Sequence, residues 1–286
     1  MVTAALLALC TIVFGWEVVV MTAGGQDALE AFVRHWGLVP RDLVAAISAG
    51  DLLSLPVLTL VTHLFLHGSW LHLMGNVLFL WIFGVNVEDR LGRVLFLAFY
   101  LVGGIVAAAG HTLVDPTSDV PMVGASGAIS AVLGAYVVLY PRARIQALVF
   151  PLFYYELMAV PAVLVLGFWF VLQLIDGVAS LGLTAEASGG IAIWAHIAGF
   201  VAGMAVALPL RYLRGAPVPV PSATSVPAAA AVPAATPGSS DPLLVEAVRP
   251  MEIVPPPSSP DSSPDSSLVP PPPPAPPGPP PPPPGR

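Results

Sequence analysis

The sequence has no lysine, a single cysteine and few charges: only 9 % of its 286 residues are charged. Because its basic residues are ten scattered arginines, it lacks a basic patch for nucleic acid, and we expect no nucleic-acid partner. The lone Cys10 has no partner in the chain, which excludes an intrachain disulfide. Hydrophobic residues make up 56 % and the mean hydropathy is +0.83, so we expect the lipid bilayer to be the main solvent.

Six apolar runs are long enough for a bilayer crossing, which takes about 20 mostly apolar residues in a helix. They are residues 2–22, 70–87, 94–114, 123–140, 157–176 and 190–210. The first run lacks a positively charged flank and is longer than the core of a signal peptide, so we interpret it as a retained span. The sequence thus predicts an all-α membrane protein with a six-transmembrane-helix bundle.

Arginines follow the second, fourth and sixth spans, and the charged residues in the loops after spans three and five are all acidic, although the longer loop after span one carries Arg34 and Arg41. Since short cytoplasmic loops collect arginine, we expect both termini in the cytoplasm. The long loop 23–69 mixes apolar and polar residues over 27–36 and 42–60, which indicates short helices on the outer face. Residues 1–214 form one predicted membrane domain.

Residues 215–286 are rich in proline, alanine and serine and end in a proline run. This composition cannot bury enough apolar area to fold, so it predicts a disordered proline-rich cytoplasmic tail. The tail is a tether or, as a second hypothesis, a ligand for an SH3- or WW-like partner.

Four polar side chains are predicted to meet in the outer half of the membrane. His72 and Asn76 lie four residues apart on one face of span two, Ser126 begins span four, and His196 lies early in span six. With a rise of 1.5 Å per residue, their depths agree within roughly 10 Å. Polar groups at that depth need partners or a function.

These residue types suit acyl transfer. An imidazole that accepts the proton of a serine makes the hydroxyl a nucleophile, and fixed donors stabilise the resulting oxyanion. Ser126 and His196 are the candidate pair, and His72, Asn76 and the backbone N–H of Ser126 are candidate donors. Gly124 and Gly127 clear space around Ser126, while Gly199 and Gly203 form a GxxxG face that predicts close packing of span six on span four.

Four motifs in this order resemble the rhomboid intramembrane serine proteases. They are the segment 63–76 (HLFLHGSWLHLMGN), Glu88-Asp-Arg-Leu-Gly92, Gly124-Ala-Ser126-Gly127 and Ala195-His196-Ile-Ala-Gly199. The resemblance implies a Ser126/His196 dyad, an oxyanion hole of His72, Asn76 and Ser126, and a supporting role for His67, with no metal or other cofactor. It also implies single-span membrane-protein substrates, cut in or near the transmembrane segment, and a bacterial-type plasma membrane.

The chain departs from the family at Ser130, where many members carry an aromatic residue that packs on the histidine. What orients His196 is therefore left open. An inactive relative that binds transmembrane segments is the alternative function.

Other reaction classes fit the sequence less well. A metalloprotease needs the motif HExxH, but no histidine here precedes a glutamate. An aspartyl protease needs two facing aspartates, whereas Asp176 alone lies at a span end. A transporter is the non-enzyme rival, although no internal repeat favours it.

Overall fold

The computed structural model describes residues 1–149, 156–181 and 192–213. The helices and strands in these ranges are, in order, α1 Val2–Trp36, α2 Pro40–Ser48, α3 Leu55–Thr62, α4 Trp70–Phe79, α5 Val85–Leu91, α6 Arg93–Val114, α7 Ser126–Leu139, β1 Arg144–Val149, β2 Glu156–Pro161, α8 Ala162–Ser180 and α9 Ile193–Leu213. A π-helical turn, Leu80–Gly84, joins α4 and α5. The predicted tail, 215–286, lies outside the described residues.

Five helical segments are long and apolar enough to cross a membrane, namely Val2–Trp36, Trp70–Leu91, Arg93–Val114, Ala162–Ser180 and Ile193–Tyr212. They overlap five of the six predicted spans and confirm a mostly helical, multi-pass membrane protein. The remaining predicted span, 123–140, corresponds to α7. Because α7 has only 14 residues, it falls short of a usual bilayer crossing, and the count of six spans stays a prediction.

The short helix α7 is packed between α6 and α9. All of its residues except Ser126 and Val137 are buried. Small residues make the contacts: Gly103 of α6 abuts the Cβ atom of Ala131, and Gly134 of α7 abuts the carbonyl of Phe200 in α9. Without side chains in the way, the helix backbones approach closely, as is usual where membrane helices pack.

The loop 23–69 contains short helices, as predicted. Residues 27–36 are helical and are separated from the first part of α1 by a break at Gly25, whose φ of +75° is outside the helical region. Two further helices, α2 and α3, occupy most of the predicted stretch 42–60. An isolated bridge pairs Leu38 of the loop with Met122, just before α7, and within the loop Thr62 Oγ1 donates to the carbonyl of Trp36 at 2.6 Å.

The structure is mostly helical, as predicted, but between α7 and α8 two strands pair in an antiparallel arrangement that the all-α prediction did not include. Its register runs from Arg144 opposite Pro161 to Val149 opposite Glu156. The predicted fifth span, 157–176, accordingly begins five residues later, at Ala162. A proline disfavours helical conformation in the residue before it, so Val160 stays extended and the helix starts after Pro161.

The carboxylate of Glu88 fixes the start of α1. It accepts hydrogen bonds from the backbone N–H groups of Val2 and Thr3 and from the Thr3 hydroxyl, each at 2.7 Å. First-turn N–H groups have no partner inside their own helix, so this buried carboxylate on α5 caps α1 from a distance of 85 residues in sequence.

Candidate active site

Ser126 and His196 are in direct hydrogen-bond contact, with 2.8 Å between Ser126 Oγ and His196 Nε2. Ser126 is the first residue of α7, and His196 is the fourth residue of α9. Gly124 turns the chain into α7 with a φ of +116°, a conformation that favours glycine. The structure therefore brings together the two side chains that the sequence pairs.

Glycines let α9 lie directly on α7 beside this contact. Gly199 faces the carbonyl of Gly127, and a methyl group added to Gly203 would collide with the backbone of Ala131. Gly127 itself packs against Ala107 of α6 and Ala195 of α9. The glycines of the GxxxG motif thus let α9 pack on α7, one turn beyond His196.

His72 and Asn76 face Gly124 from α4. A Cβ atom on Gly124 would lie 2.6 Å from His72 Cε1, so glycine leaves room for that ring, and 3.7 Å from Asn76 Nδ2, an ordinary contact distance. Asn76 Nδ2 is buried and has no hydrogen-bond partner among the described residues. Ser69 caps α4 by accepting from the backbone N–H of His72.

All four polar residues line one cavity of about 590 Å³: His72, Asn76, Ser126 and His196. The other walls are mainly apolar and include Phe79, Ile129, Leu133 and Trp169. A site of this kind combines a mainly apolar surface with a few convergent polar groups, which is the usual form of a substrate pocket.

The comparison with protein families decides the classification. A model of the Rhomboid domain matches residues 55–213, which is more than half of the chain and contains every residue of the cavity. The chain belongs to the rhomboid family.

Relatives come from eukaryotes and from the bacterium Bacillus subtilis. Presenilin-associated rhomboid-like protein A, mitochondrial, of Danio rerio is 32 % identical over 135 residues, covering 46 % of this chain and 35 % of the relative. RHOMBOID-like protein 5 of Arabidopsis thaliana is 36 % identical over 76 residues, covering 27 % and 25 %. Rhomboid protein 1, mitochondrial, of Saccharomyces cerevisiae is 29 % identical over 124 residues, covering 42 % and 33 %. The matches thus span only about a quarter to a third of each relative.

His67 lies behind the cavity of this rhomboid and does not line it. Its backbone N–H donates to the buried carboxylate of Glu17 at 3.1 Å, and its ring lies 5.3 Å from the ring of His72. Burial and the neighbouring His72 lower the pKa of His67 to about 4. His67 therefore packs as a neutral ring against His72. No group of three histidine, cysteine or acidic side chains in the described ranges is arranged for a metal.

His63, the first histidine of the segment 63–76, also does not line the cavity. Its Nδ1 lies 2.7 Å from the carbonyl of Thr59, and its own carbonyl accepts from the backbone N–H of Gly124 at 2.9 Å. It is only 2 % exposed. His63 therefore anchors the turn that enters α7 and does not contact the water-accessible cavity.

Ser130 does not reach the imidazole of His196 through a hydrogen bond. Its hydroxyl donates to the carbonyl of Ser126 in its own helix at 2.7 Å. Two side chains of α8 contact the histidine instead: the ring of Trp169, with centroids 6.0 Å apart, and the amide of Gln173, which is hydrogen-bonded to Nδ1. The sequence analysis missed both, although a glutamine inside an apolar span is a signal that such a residue needs a partner.

Proposed function

We propose that this rhomboid is an intramembrane serine endopeptidase that hydrolyses peptide bonds in or near transmembrane segments of membrane-protein substrates. The observation that supports this most directly is the 2.8 Å contact between Ser126 Oγ and His196 Nε2 at the wall of a cavity. A serine in hydrogen-bond contact with an imidazole has the geometry of an activated nucleophile.

In the proposed reaction, Ser126 Oγ attacks the carbonyl carbon of the scissile bond while its proton passes to His196 Nε2. The tetrahedral oxyanion accepts hydrogen bonds from Asn76 Nδ2, the His72 ring and the backbone N–H of Ser126. Collapse breaks the C–N bond, and His196 returns the proton to the leaving amine. Water then hydrolyses the acyl-enzyme with His196 again as base.

The unpartnered amide of Asn76 supports its role in this scheme. A buried donor without an acceptor costs free energy, so a native protein usually keeps one only where something else will bind it. An oxyanion is such an acceptor. The backbone N–H of Ser126 is a suitable donor to the oxyanion for the same reason. The first N–H groups of α7 have no partner within their helix and lie at its positive end.

Reaction of the detergent-solubilised protein with a fluorophosphonate, followed by mass mapping of the labelled residue, tests the proposal. We expect labelling at Ser126 that is lost in Ser126→Ala and falls at least about 100-fold in His196→Ala, because general-base catalysis contributes that much. Ser54→Ala and His35→Ala are the matched controls, since neither residue lines the cavity. Labelling that is indifferent to His196 would instead favour an inactive rhomboid that binds transmembrane segments.

We further propose that α7 is the fourth of six spans and that both termini are cytoplasmic, with single-span proteins as substrates. The arginines after spans two, four and six support this orientation. Reporter fusions after Arg144 and Arg214 should both report the cytoplasm, and an external signal at either site would contradict the topology. The bacterial-type membrane stays a prediction, as does the SH3- or WW-like partner of the tail.

A further inference from the structure

The imidazole of His196 is held by three neighbours. Nε2 contacts the Ser126 hydroxyl, Nδ1 is hydrogen-bonded to the amide of Gln173, and the ring lies beside the indole of Trp169. The side chain of Ser130, one turn after Ser126, is turned back to its own helix. Apart from Ser126, the two side chains that contact the ring, Trp169 and Gln173, therefore both belong to α8.

The helix α8 presents this pair on one face. Trp169 and Gln173 are four residues apart, which aligns their side chains along the helix. The ring of Phe170 stacks on Phe200 of α9 with centroids 4.5 Å apart and an angle of 18°, one turn from His196. Gly177 packs against Ile197, the residue that follows His196. These contacts set the rotation of α8 so that Gln173 faces Nδ1.

The amide of Gln173 can meet either protonation state of Nδ1. A half-turn of the amide exchanges its nitrogen and oxygen, which have nearly the same shape. When the nitrogen donates to Nδ1, the proton of the ring is on Nε2, and the ring cannot accept the proton of Ser126. When the oxygen accepts from Nδ1–H, the lone pair is on Nε2 and faces the serine.

We propose that Gln173 is a positioning residue for the base: its amide oxygen accepts from Nδ1–H of His196, which leaves the Nε2 lone pair for the proton of Ser126. This inference rests on the proposed protease function. The same oxygen remains a hydrogen-bond acceptor after the ring has taken the proton, when both ring nitrogens carry hydrogen. A neutral amide does this within an apolar helix without the cost of burying a charge.

Two near-isosteric variants test the proposal, with the second-order rate constant of fluorophosphonate labelling at Ser126 measured against pH. Gln173→Met removes the hydrogen bond, and we expect labelling at least about tenfold slower at every pH, with the probe's binding constant little changed. Gln173→Glu retains an acceptor, so we expect labelling restored to within about threefold of the wild-type maximum. Because a carboxylate favours the protonated ring, the acid limb of its pH profile should move to higher pH by about one unit or more.

The controls separate this proposal from the proposed function. Leu172→Met changes the adjacent, 41 % exposed side chain of α8 and should leave both rate and profile unchanged. The other titratable groups that act on His196 are His72 and His111, and every variant retains them. If wild-type protein does not label, the proposed function fails. If it labels but Gln173→Met keeps the wild-type rate, or the Gln173→Glu profile does not move, the role of Gln173 is wrong.

Discussion

The two sides of His196 are held in different ways. On one side, α9 lies against α7 through glycines, with Gly199 and Gly203 against the backbone of the facing helix. On the other side, α8 reaches the same histidine only through long side chains, and few of its residues are buried: Ala162, Leu166 and Gly177. The contact of Gly199 and Gly203 with the facing helix, which we call the α7–α9 seam, fixes the distance between nucleophile and base. The helix α8 fixes the orientation of the imidazole ring.

The comparison teaches that folding and chemistry depend on different contacts here. Backbone packing along the seam cannot be altered without moving helices, because close-packed interiors have no room for added atoms. The side chains that face the pair from α4 and α8 surround the site, and His72, Asn76 and Trp169 line its cavity. We expect the loss of one of their contacts to change the site and leave the helices in place. Three substitutions test this division, in order of expected effect.

The largest effect is expected at the seam. In Gly199→Val, the new side chain would meet the carbonyl of Gly127 and the Cβ atom of Ser130. Overpacking of this kind typically costs about 1–3 kcal/mol or more, and here it also separates Ser126 from His196. We expect a lower thermal midpoint in detergent together with loss of fluorophosphonate labelling.

The matched control for that variant is Gly167→Ala on α8, where an added methyl group meets nothing within 4 Å. It should preserve both stability and labelling. If Gly199→Val were as stable and as reactive as Gly167→Ala, the seam would not be what holds the pair together.

An intermediate effect, on rate alone, is expected at Asn76. Asn76→Ala removes the unpartnered Nδ2 donor, so stabilisation of the transition state should fall by up to about 3 kcal/mol. Turnover of a transmembrane substrate should slow accordingly. Folding stability should stay nearly constant, since the amide nitrogen has no native hydrogen bond to lose. Measured kcat and thermal midpoint together check this.

Asn86→Ala is the matched control. Unlike that of Asn76, its side-chain amide donates a hydrogen bond, to the carbonyl of Ile82 at 2.9 Å, and lies away from the cavity. Its rate should match the wild type. Unchanged turnover in Asn76→Ala would remove this residue from the oxyanion site.

The smallest of the three effects is expected at Trp169. Its ring lies 6.0 Å from both His196 and Phe200, and Trp169→Leu removes these aromatic contacts. An aromatic pair contributes about 1 kcal/mol, which corresponds to roughly a fivefold slower labelling rate. Phe168→Leu, at a 66 % exposed position of the same helix, should have no effect. An equal loss in both variants would point to a general weakening of α8.

Local patterns in the sequence were sufficient for much of the fold. Apolar runs of about 20 residues predict spans wherever they occur, and the i,i+4 spacing of His72 and Asn76 sets their common face without any knowledge of the neighbours. The strand β2 was missed because its apolar residues were predicted to start the fifth span, and only the pairing of β1 with β2 distinguishes a strand from a helix there.

The sequence by itself determined that this is a multi-pass membrane protein, because hydropathy is a local property, and it predicts from helical rise that Ser126 and His196 lie at similar depth. The tertiary structure decided which groups surround the pair. The helix α8 is apolar around most of its circumference, so its sequence does not specify its rotation, and the packing of Phe170 on Phe200 does. That rotation directs Gln173 to His196, and it depends on contacts between residues about 30 positions apart in the chain.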